Sequence, residues 1–388
     1  MNAVALVYID VRQHLRIAST LADALGEGWT LVLVGPGLPV DAASDWTAPC
    51  RAEVKPLDAP EVSRGPRAAR ILRRGLALTR SLDRQLDRLR DTPASRRFVV
   101  VFNDTGIAQR YLIARANRAG VRTVLVQDGL TETQHRESTA AFAFKHAVTR
   151  ALLAPLGLGH LGSSRYGTSG ASTVLADGPK AASFFQQRAP RARVVESGFL
   201  RPGPGDRHAS ADTPRLLFWA VDFLGGLSDR PLHERQLGTL ERLARAMAGL
   251  PGAVRLQVRL HPGDAAHFAD YEARLGGFVH VDLVDPRVHR DPFAPALPLL
   301  SVSLQSAGVF DALAAHVPSF FLEDGPALGP AWIPPVLALA DVPACEAVVR
   351  RLLADSAAAR ALWHEQTVAL GTSIRIPYDT ARIRDAFA

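Results

Sequence analysis

Residues 4–34 read VALVYIDVRQHLRIASTLADALGEGWTLVLV, and this stretch decides the architecture. Val4–Tyr8 is a short apolar run. His14–Leu25 then places Leu15, Ala18, Leu21, Ala22 and Leu25 on one side of a helix, the spacing of an amphipathic element packed by one face. Gly26 and Gly28 end it, and Thr30–Val34 is a second apolar run. A strand, a helix and a strand at this spacing predict a βαβ unit, whose two strands must be parallel.

The same alternation extends outward. Residues 66–91 form a basic amphipathic helix, with Ile71, Leu72, Leu76, Leu82, Leu86 and Leu89 on its apolar side and eight arginines on the rest. It reads as a solvated helix on the sheet or as a contact for an anionic surface. Phe98–Phe102 is continuously apolar and ends in Asn103-Asp104-Thr105-Gly106; a helix follows to about Gly120. Arg122–Val126 is the next strand, ending in Gln127-Asp128-Gly129. Unbroken apolar runs of this length are strands covered on both faces. Residues 157–170, rich in Gly and Ser, read as a loop, and Ser172–Ala176 and Val194–Val195 as the last strands of this half.

Residues 201–214, RPGPGDRHASADTP, have the composition of a linker. Beyond them the pattern restarts: strand Leu216–Val221, helix Leu232–Leu250, strands Val254–Leu260, Phe278–Val281, Leu299–Leu304 and Ser319–Leu322, with a helix from about Ser306 to His316. The expected fold class is therefore α/β: two Rossmann-like doubly wound domains facing across a cleft, one over residues 1–200 and a nucleotide-binding one over 215–370. Residues 371–388 contain a short helix, Thr380–Phe387, expected to cross back to the first domain.

Composition narrows the function. Of 388 residues, 47% are hydrophobic and 21% charged, the balance of a globular protein. The formal net charge is +7, almost all of it arginine, since Lys55, Lys145 and Lys180 are the only lysines. The excess is either compositional or an attraction for phosphates on a nucleotide, an anionic glycan or a membrane surface. Nothing resembles a nucleic-acid recognition motif, so no nucleic-acid partner is expected. Two distant cysteines, Cys50 and Cys345, argue against a disulfide framework or a structural zinc site. There is no signal-peptide pattern and no apolar run of the ~18 residues a membrane span needs. A cytoplasmic location, peripheral at most to the inner face of the membrane, is the expectation.

Ligands of open α/β sheets bind at the carboxyl ends of the strands, so polar residues there are the candidates. After one strand of the second half stand Arg259-Leu260-His261-Pro262-Gly263-Asp264. The His261 imidazole can donate to a phosphate oxygen and Arg259 can add positive charge, unless this is a plain turn histidine. Ser301 to Gly308 hold hydroxyls where a strand meets a helix, with Ser306 best placed either for an anion or as an N-cap. In the first half, Asp128, followed by Gly129, is a candidate base for an acceptor hydroxyl or a turn-capping carboxylate. Glu132 and His135 lie close enough in sequence to share or take over that role. Asn103 and Asp104 could line the same cleft, or cap the helix after them.

Absences exclude other chemistries. The chain lacks GxxxxGK[ST], which removes P-loop NTPases; it has no GxSxG elbow and no HExxH helix, and the lack of GxGxxG after its first strand disfavours a dinucleotide oxidoreductase. It has no DxD pair for a metal-chelated sugar nucleotide. No metal and no cofactor is expected; leaving-group charge would fall to protein donors.

Arg259-Leu260-His261-Pro262, followed some forty residues later by a serine-rich strand-to-helix turn, resembles bacterial glycosyltransferases of the GT-B superfamily. The nearest resemblance is to transferases of CMP-activated sialic acid or Kdo in capsule and surface-polysaccharide assembly. In that group an acidic-Gly motif precedes a His-Pro and a serine motif, the order of Asp128-Gly129, His261-Pro262 and Ser303 to Ser306. The resemblance implies Asp128 as the catalytic acidic residue and His261 and Ser306 as donor-phosphate contacts, with Ser303 beside them. Ser306-Ala307-Gly308-Val309-Phe310-Asp311 also resembles the wider pattern shared with UDP-GlcNAc 2-epimerases, which implies Asp311, with Gly308, at the donor nucleotide. Glu196 to Leu200 resembles the domain-closing strand and turn of that superfamily. Gln127 and His316 stand where an acidic residue and a glycine are usual. The implied partners are a nucleotide-sugar donor and a glycan acceptor, with a peripheral contact to a membrane or other glycan-assembly proteins. The alternatives are a sugar-nucleotide 2-epimerase, a CDP-glycerol-type polyol-phosphate transferase and a non-catalytic glycan-assembly protein.

Overall fold

In the computed structural model the described residues are all but 1, 36–37, 39–45, 47, 58–66, 130–139, 154, 156–158, 163–164, 204–212, 225–228, 286–287, 289–290 and 295. The side chains of 12, 56, 67–76, 161, 265 and 356 also lie outside the description. The chain forms two compact units, Met1–Pro202 with Thr372–Ala388, and Gly203–Gly371. Most of the stretch predicted as a linker, 204–212, falls among the residues not described.

The first unit contains β1 (Ala3–Tyr8), α1 (Arg12–Leu25), β2 (Trp29–Gly35), β3 (Arg51–Pro56), α2 (Arg67–Asp87), β4 (Arg97–Val101), α3 (Ile107–Arg118), β5 (Arg122–Val126), α4 (Ala140–Val148), β6 (Thr173–Ala176), α5 (Pro179–Arg188) and β7 (Arg193–Glu196). All strand pairs are parallel, in the order β3-β2-β1-β4-β5-β6-β7. Successive side chains of a strand point to opposite faces. Accordingly Ala5 and Val7 join a core with Ile17, Leu21, Phe98 and Val100, while Leu6 and Tyr8 join another with Val99, Val101, Leu112 and Ile113. Both faces are therefore covered, as the unbroken apolar runs predicted.

The second unit contains β8 (Arg215–Trp219), α6 (Arg230–Ala248), β9 (Arg255–Arg259), α7 (Phe268–Leu275), β10 (Val281–Val284), β11 (Leu300–Ser303), α8 (Gly308–Ala314), β12 (Ser319–Leu322), β13 (Ala338–Leu339), α9 (Val342–Ala354) and α10 (Ser356–Leu370). Its sheet is also parallel, ordered β10-β9-β8-β11-β12-β13. Aspartates begin the long helices: Asp229, Asp341 and Asp355 each accept from a backbone N–H in the first turn that follows. In both units the chain builds three strands in one direction, then returns to the other side of the first strand. The gap between β1 and β4, and that between β8 and β11, is a topological switch point, where loops diverge and a ligand can enter.

The chain returns to the first unit after residue 371. Asp379 N–H donates to the Ser197 carbonyl at 2.7 Å, and Phe199 N–H to that of Arg375 at 2.9 Å. Gly198 sits at this crossing with φ +81°, and a Cβ there would lie 2.7 Å from the Cα of Tyr378. Only glycine meets both demands. The final helix, α11 (Thr380–Phe387), buries Ile383, Ala386 and Phe387 in the core of β1, β2 and β4.

Differences from the predicted elements fall at sheet edges and helix ends. The edge strand β3 reads RAEVKP, too polar to register as an apolar run, and β13 is two residues long. A strand was expected at Phe278–Val281, but Val281 N–H closes a turn onto the Phe278 carbonyl and β10 starts there. The helix expected over 306–316 is the shorter α8; His316 follows it in the left-handed region, φ +61°, where a helix terminus usually takes glycine. Its ring packs 4.3 Å from that of Trp363.

Candidate functional site

In the second unit, β8 is flanked by β9 and β11, with Trp219 paired to Arg259 on one side and to Ser303 on the other. Neighbouring strands lie ~4.8 Å apart, so the turns after β9 and β11 open about 10 Å from each other at the same sheet edge. The first carries His261, the second Ser306. Asp222 lies on the turn after β8.

The His261 side chain is 53% exposed. Its Nδ1 accepts from Gly263 N–H at 3.1 Å, so the neutral ring carries its proton on Nε2, a donor that no backbone group among the described residues accepts from. Desolvation lowers the imidazole pKa, and Asp222, with an Oδ2 3.9 Å from Nδ1, opposes that shift. Gly263 lies so close to this carboxylate that a Cβ would come within 2.0 Å of it.

The turn after β11 is braced by its serines. Ser303 is buried; its hydroxyl donates to the Trp219 carbonyl at 2.8 Å and accepts from the N–H of Ser306 at 2.9 Å. The Ser306 hydroxyl, on a partly exposed residue, accepts from Gly308 N–H at 3.1 Å, and its own proton has no acceptor among the described residues. Trp219 donates Nε1–H to Ser301 Oγ at 2.8 Å, which fixes the indole against Gly308. A Cβ at Gly308 would stand 2.3 Å from the ring. Gly308→Ala is therefore expected to destabilise the second unit by about 1–3 kcal/mol through overpacking, read as a lowered thermal midpoint. An unchanged midpoint would show that the indole can yield.

In the first unit residues that follow β1, β5 and β7 come together although far apart in sequence. His14 Nε2 lies 2.8 Å from Asp128 Oδ2. The N–H of Asp10 donates to His14 Nδ1 at 3.3 Å, which leaves Nε2 as the protonated nitrogen that donates to the carboxylate. Gln13 donates to Asp128 Oδ1 at 3.2 Å, and the guanidinium of Arg201 lies 3.7 Å from the same oxygen. The His14 and Arg201 side chains are 3% and 5% exposed, that of Asp128 18%. Solvent therefore reaches the carboxylate from the side of the exposed Gln13, while His14 and Arg201 hold it from within. Its backbone is held as well: Asp128 N–H donates to the Tyr166 hydroxyl at 3.1 Å, while Gln127 donates to the Gly129 carbonyl and accepts from Asp177 N–H, each at 2.9 Å. Gly129 completes the turn with φ +83°.

Solved structures resemble the chain over its whole length. One is UDP-GlcNAc 2-epimerase from Neisseria meningitidis bound to UDP-GlcNAc, 12% identical, TM-score 0.58, with 99% of each chain covered. Another is Anabaena Alr3699/HepE in complex with UDP and glucose, 11% identical, TM-score 0.54, covering 99% of this chain and 98% of that one. A third is a UDP-glucosyltransferase from Polygonum tinctorium, 17% identical, TM-score 0.52, covering 100% and 98%. The chain has the GT-B fold. No family model and no curated protein matches it.

Within this GT-B chain, Arg259 is 8% exposed and stands on the Trp219 side of the sheet, its guanidinium 5.9 Å from the indole centroid. That places its charge behind the His261 turn rather than at the surface. Asp311 lies in the first turn of α8. Asn103 accepts from the N–H and hydroxyl of Thr105, closing its own turn. Asp104 is fully buried, accepts from the N–H groups of Gly167 and Ser169, and has its pKa raised by burial. Asn103 thus acts within the turn after β4, whereas Asp104 ties that turn to the segment before β6, and neither caps α3, whose N-cap is Gly106. Glu132 and His135 lie outside the described residues. His14, Gln13 and Arg201 were not foreseen. His14 reads as one more residue of an amphipathic helix, although the search for polar residues after each strand, applied to β1, reaches it. Among the described residues, no group of three His, Cys, Asp or Glu is placed to hold a metal ion, and no helix is long and apolar enough to cross a membrane.

Proposed function

We propose that the chain is a nucleotide-sugar-dependent glycosyltransferase with the donor on the second unit and the acceptor on the first. The observation that carries this reading is the Asp128 carboxylate, reachable by solvent and oriented by His14, Gln13 and Arg201. A hydroxyl nucleophile needs a base held in this way. Asp128 takes the acceptor proton as the oxygen attacks the sugar's anomeric carbon. The bond from that carbon to the donor phosphate breaks, and the phosphate leaves with the electron pair. Nε2–H of His261 and the hydroxyl of Ser306 donate to the developing charge, and Arg259 adds its field from behind the turn. Asp311 and Gly308 are assigned to the nucleotide.

The order of the Asp128-Gly129, His261-Pro262 and Ser303–Ser306 motifs supports CMP-Kdo or CMP-sialic acid as donor and a cell-surface or capsular glycan as acceptor. A cytoplasmic, membrane-peripheral location belongs to the same proposal; the net charge of +7 supports the contact with an anionic surface. Cofactors play no part in it.

Thermal shift with CMP, UDP, GDP and CDP tests the donor site, because a ligand at a hundred times its Kd stabilises the folded state by about 2.7 kcal/mol. Binding of none of them would sink the proposal. His261→Ala is expected to reduce kcat/KM by about 10²–10³, the effect of removing one donor to a developing charge, with the fold unchanged. Turnover equal to wild type would remove His261 from the reaction. Incubation with UDP-GlcNAc alone separates the epimerase reading, since only an epimerase releases or forms the ManNAc configuration without an acceptor.

A further inference from the structure

Behind the exposed His261, a buried chain of side chains ties its turn to the turn that bears Asp222. Gln236 on α6 accepts from the N–H of Val221 at 2.9 Å and donates to the Tyr271 hydroxyl at 2.8 Å. Tyr271, on α7, donates its hydroxyl proton to Asp264 Oδ2 at 3.0 Å. Asp264 N–H then donates to the His261 carbonyl at 2.9 Å. Gln236, Tyr271 and Asp264 are all 0% exposed.

This arrangement carries a cost that packing alone does not require. Asp264 Oδ1 is buried and has no hydrogen-bond partner among the described residues. Burial, helped by the nearby charge of Asp222, pushes the carboxyl up to about 6. A leucine and a phenylalanine would fill the same space without desolvating a carboxyl, because replacing both partners of a buried hydrogen bond by apolar groups is nearly neutral. A polar chain is useful here only if the directions of its hydrogen bonds matter; one of its ends reaches the backbone of the turn that carries His261, the other that of the turn whose Asp222 carboxylate lies 3.9 Å from His261 Nδ1.

We propose that Asp264 and Tyr271 are positioning residues for the nucleotide-sugar phosphate: through Gln236 they hold the His261 turn in register with the Asp222 turn and so aim Nε2–H of His261. The inference rests on the reading of His261 as a phosphate contact.

The test uses the full chain, with UDP and CMP as calorimetric probes. Tyr271→Phe removes one hydroxyl and is expected to weaken the nucleotide that wild type binds by about tenfold, the effect of losing one aimed hydrogen bond. Asp264→Asn, whose amide oxygen still accepts from Tyr271, is expected to stay within about threefold of wild type. The double variant Asp264→Leu with Tyr271→Phe is expected to recover the thermal midpoint while affinity stays low. Wild-type affinity in Tyr271→Phe, or affinity that returns with the midpoint in the double variant, would show that the chain only packs. If wild type binds the probe but His261→Ala binds it equally well, the reading of His261 fails and this inference falls with it. If the His261 variant binds weakly and the Tyr271 variant does not, this inference alone is overturned.

Discussion

Asp128→Asn is expected to lower turnover by about 10²–10⁴, the usual contribution of a general base. Asparagine has nearly the same shape. Its amide oxygen can still accept from His14 Nε2–H, now 2.8 Å from the carboxylate, so local geometry should persist. What is lost is the capacity to take a proton. Nucleotide affinity should not change, because His261 and Ser306 belong to the other unit. The thermal midpoint should move little, since the side chain is partly exposed and His14 keeps an acceptor. Rates at saturating donor, with nucleotide Kd measured in parallel, decide the point. A variant as active as wild type would move the base to another residue, with Glu132 the first to examine. His14→Ala should cost less, because it leaves the carboxylate in place and removes only one of the groups that aim it.

Phe387→Ala is expected to destabilise the first unit by about 3–5 kcal/mol, the range for deleting a buried aromatic side chain. Phe387 is 3% exposed and its ring lies 5.0 Å from that of Phe98 and 5.4 Å edge-on from that of Trp29. Ile383 and Ala386 share the same core, and Arg384 Nε donates to the Ala24 carbonyl at 2.7 Å, locking α11 to the end of α1. For a unit of this size each kcal/mol moves the midpoint by about 2–4 °C, so a fall of roughly 6–20 °C should appear in a melt. A shift below about 2 °C would mean that α11 is dispensable packing. Phe387 thus matters for a core whose first strand begins at Ala3.

The two most predictable regions were the central strands. Phe98–Phe102 and Leu216–Val221 have no polar interruption because both faces of each sheet are covered, and that burial is written into every residue of the run. Edge strands escaped for the converse reason: Arg51–Pro56 pairs on one side only and carries Arg51, Glu53 and Lys55. The His261-Pro262 turn and the serines after β11 were visible as polar residues at strand ends. Their division of labour was not, since Ser303 and Ser306 are alike in composition and differ only in that one hydroxyl is buried on the Trp219 carbonyl.

Asp128 itself was legible, as a carboxylate after a buried strand. Its partner was not. His14 lies 114 residues away, and within its amphipathic helix only its place soon after β1 marks it. The two meet because the chain order β1, β4, β5 becomes spatial order in the sheet, which brings the turns after β1 and β5 to one end. The sequence by itself determined the alternation of buried strands and one-sided helices, the doubled architecture and the strand ends where chemistry could lie, because each is set by neighbours a few residues apart. Only the tertiary structure decided which polar groups face one another, which are engaged in holding turns and which remain open to a ligand, because hydrogen-bond direction and burial depend on strand order and on side chains arriving from distant parts of the chain.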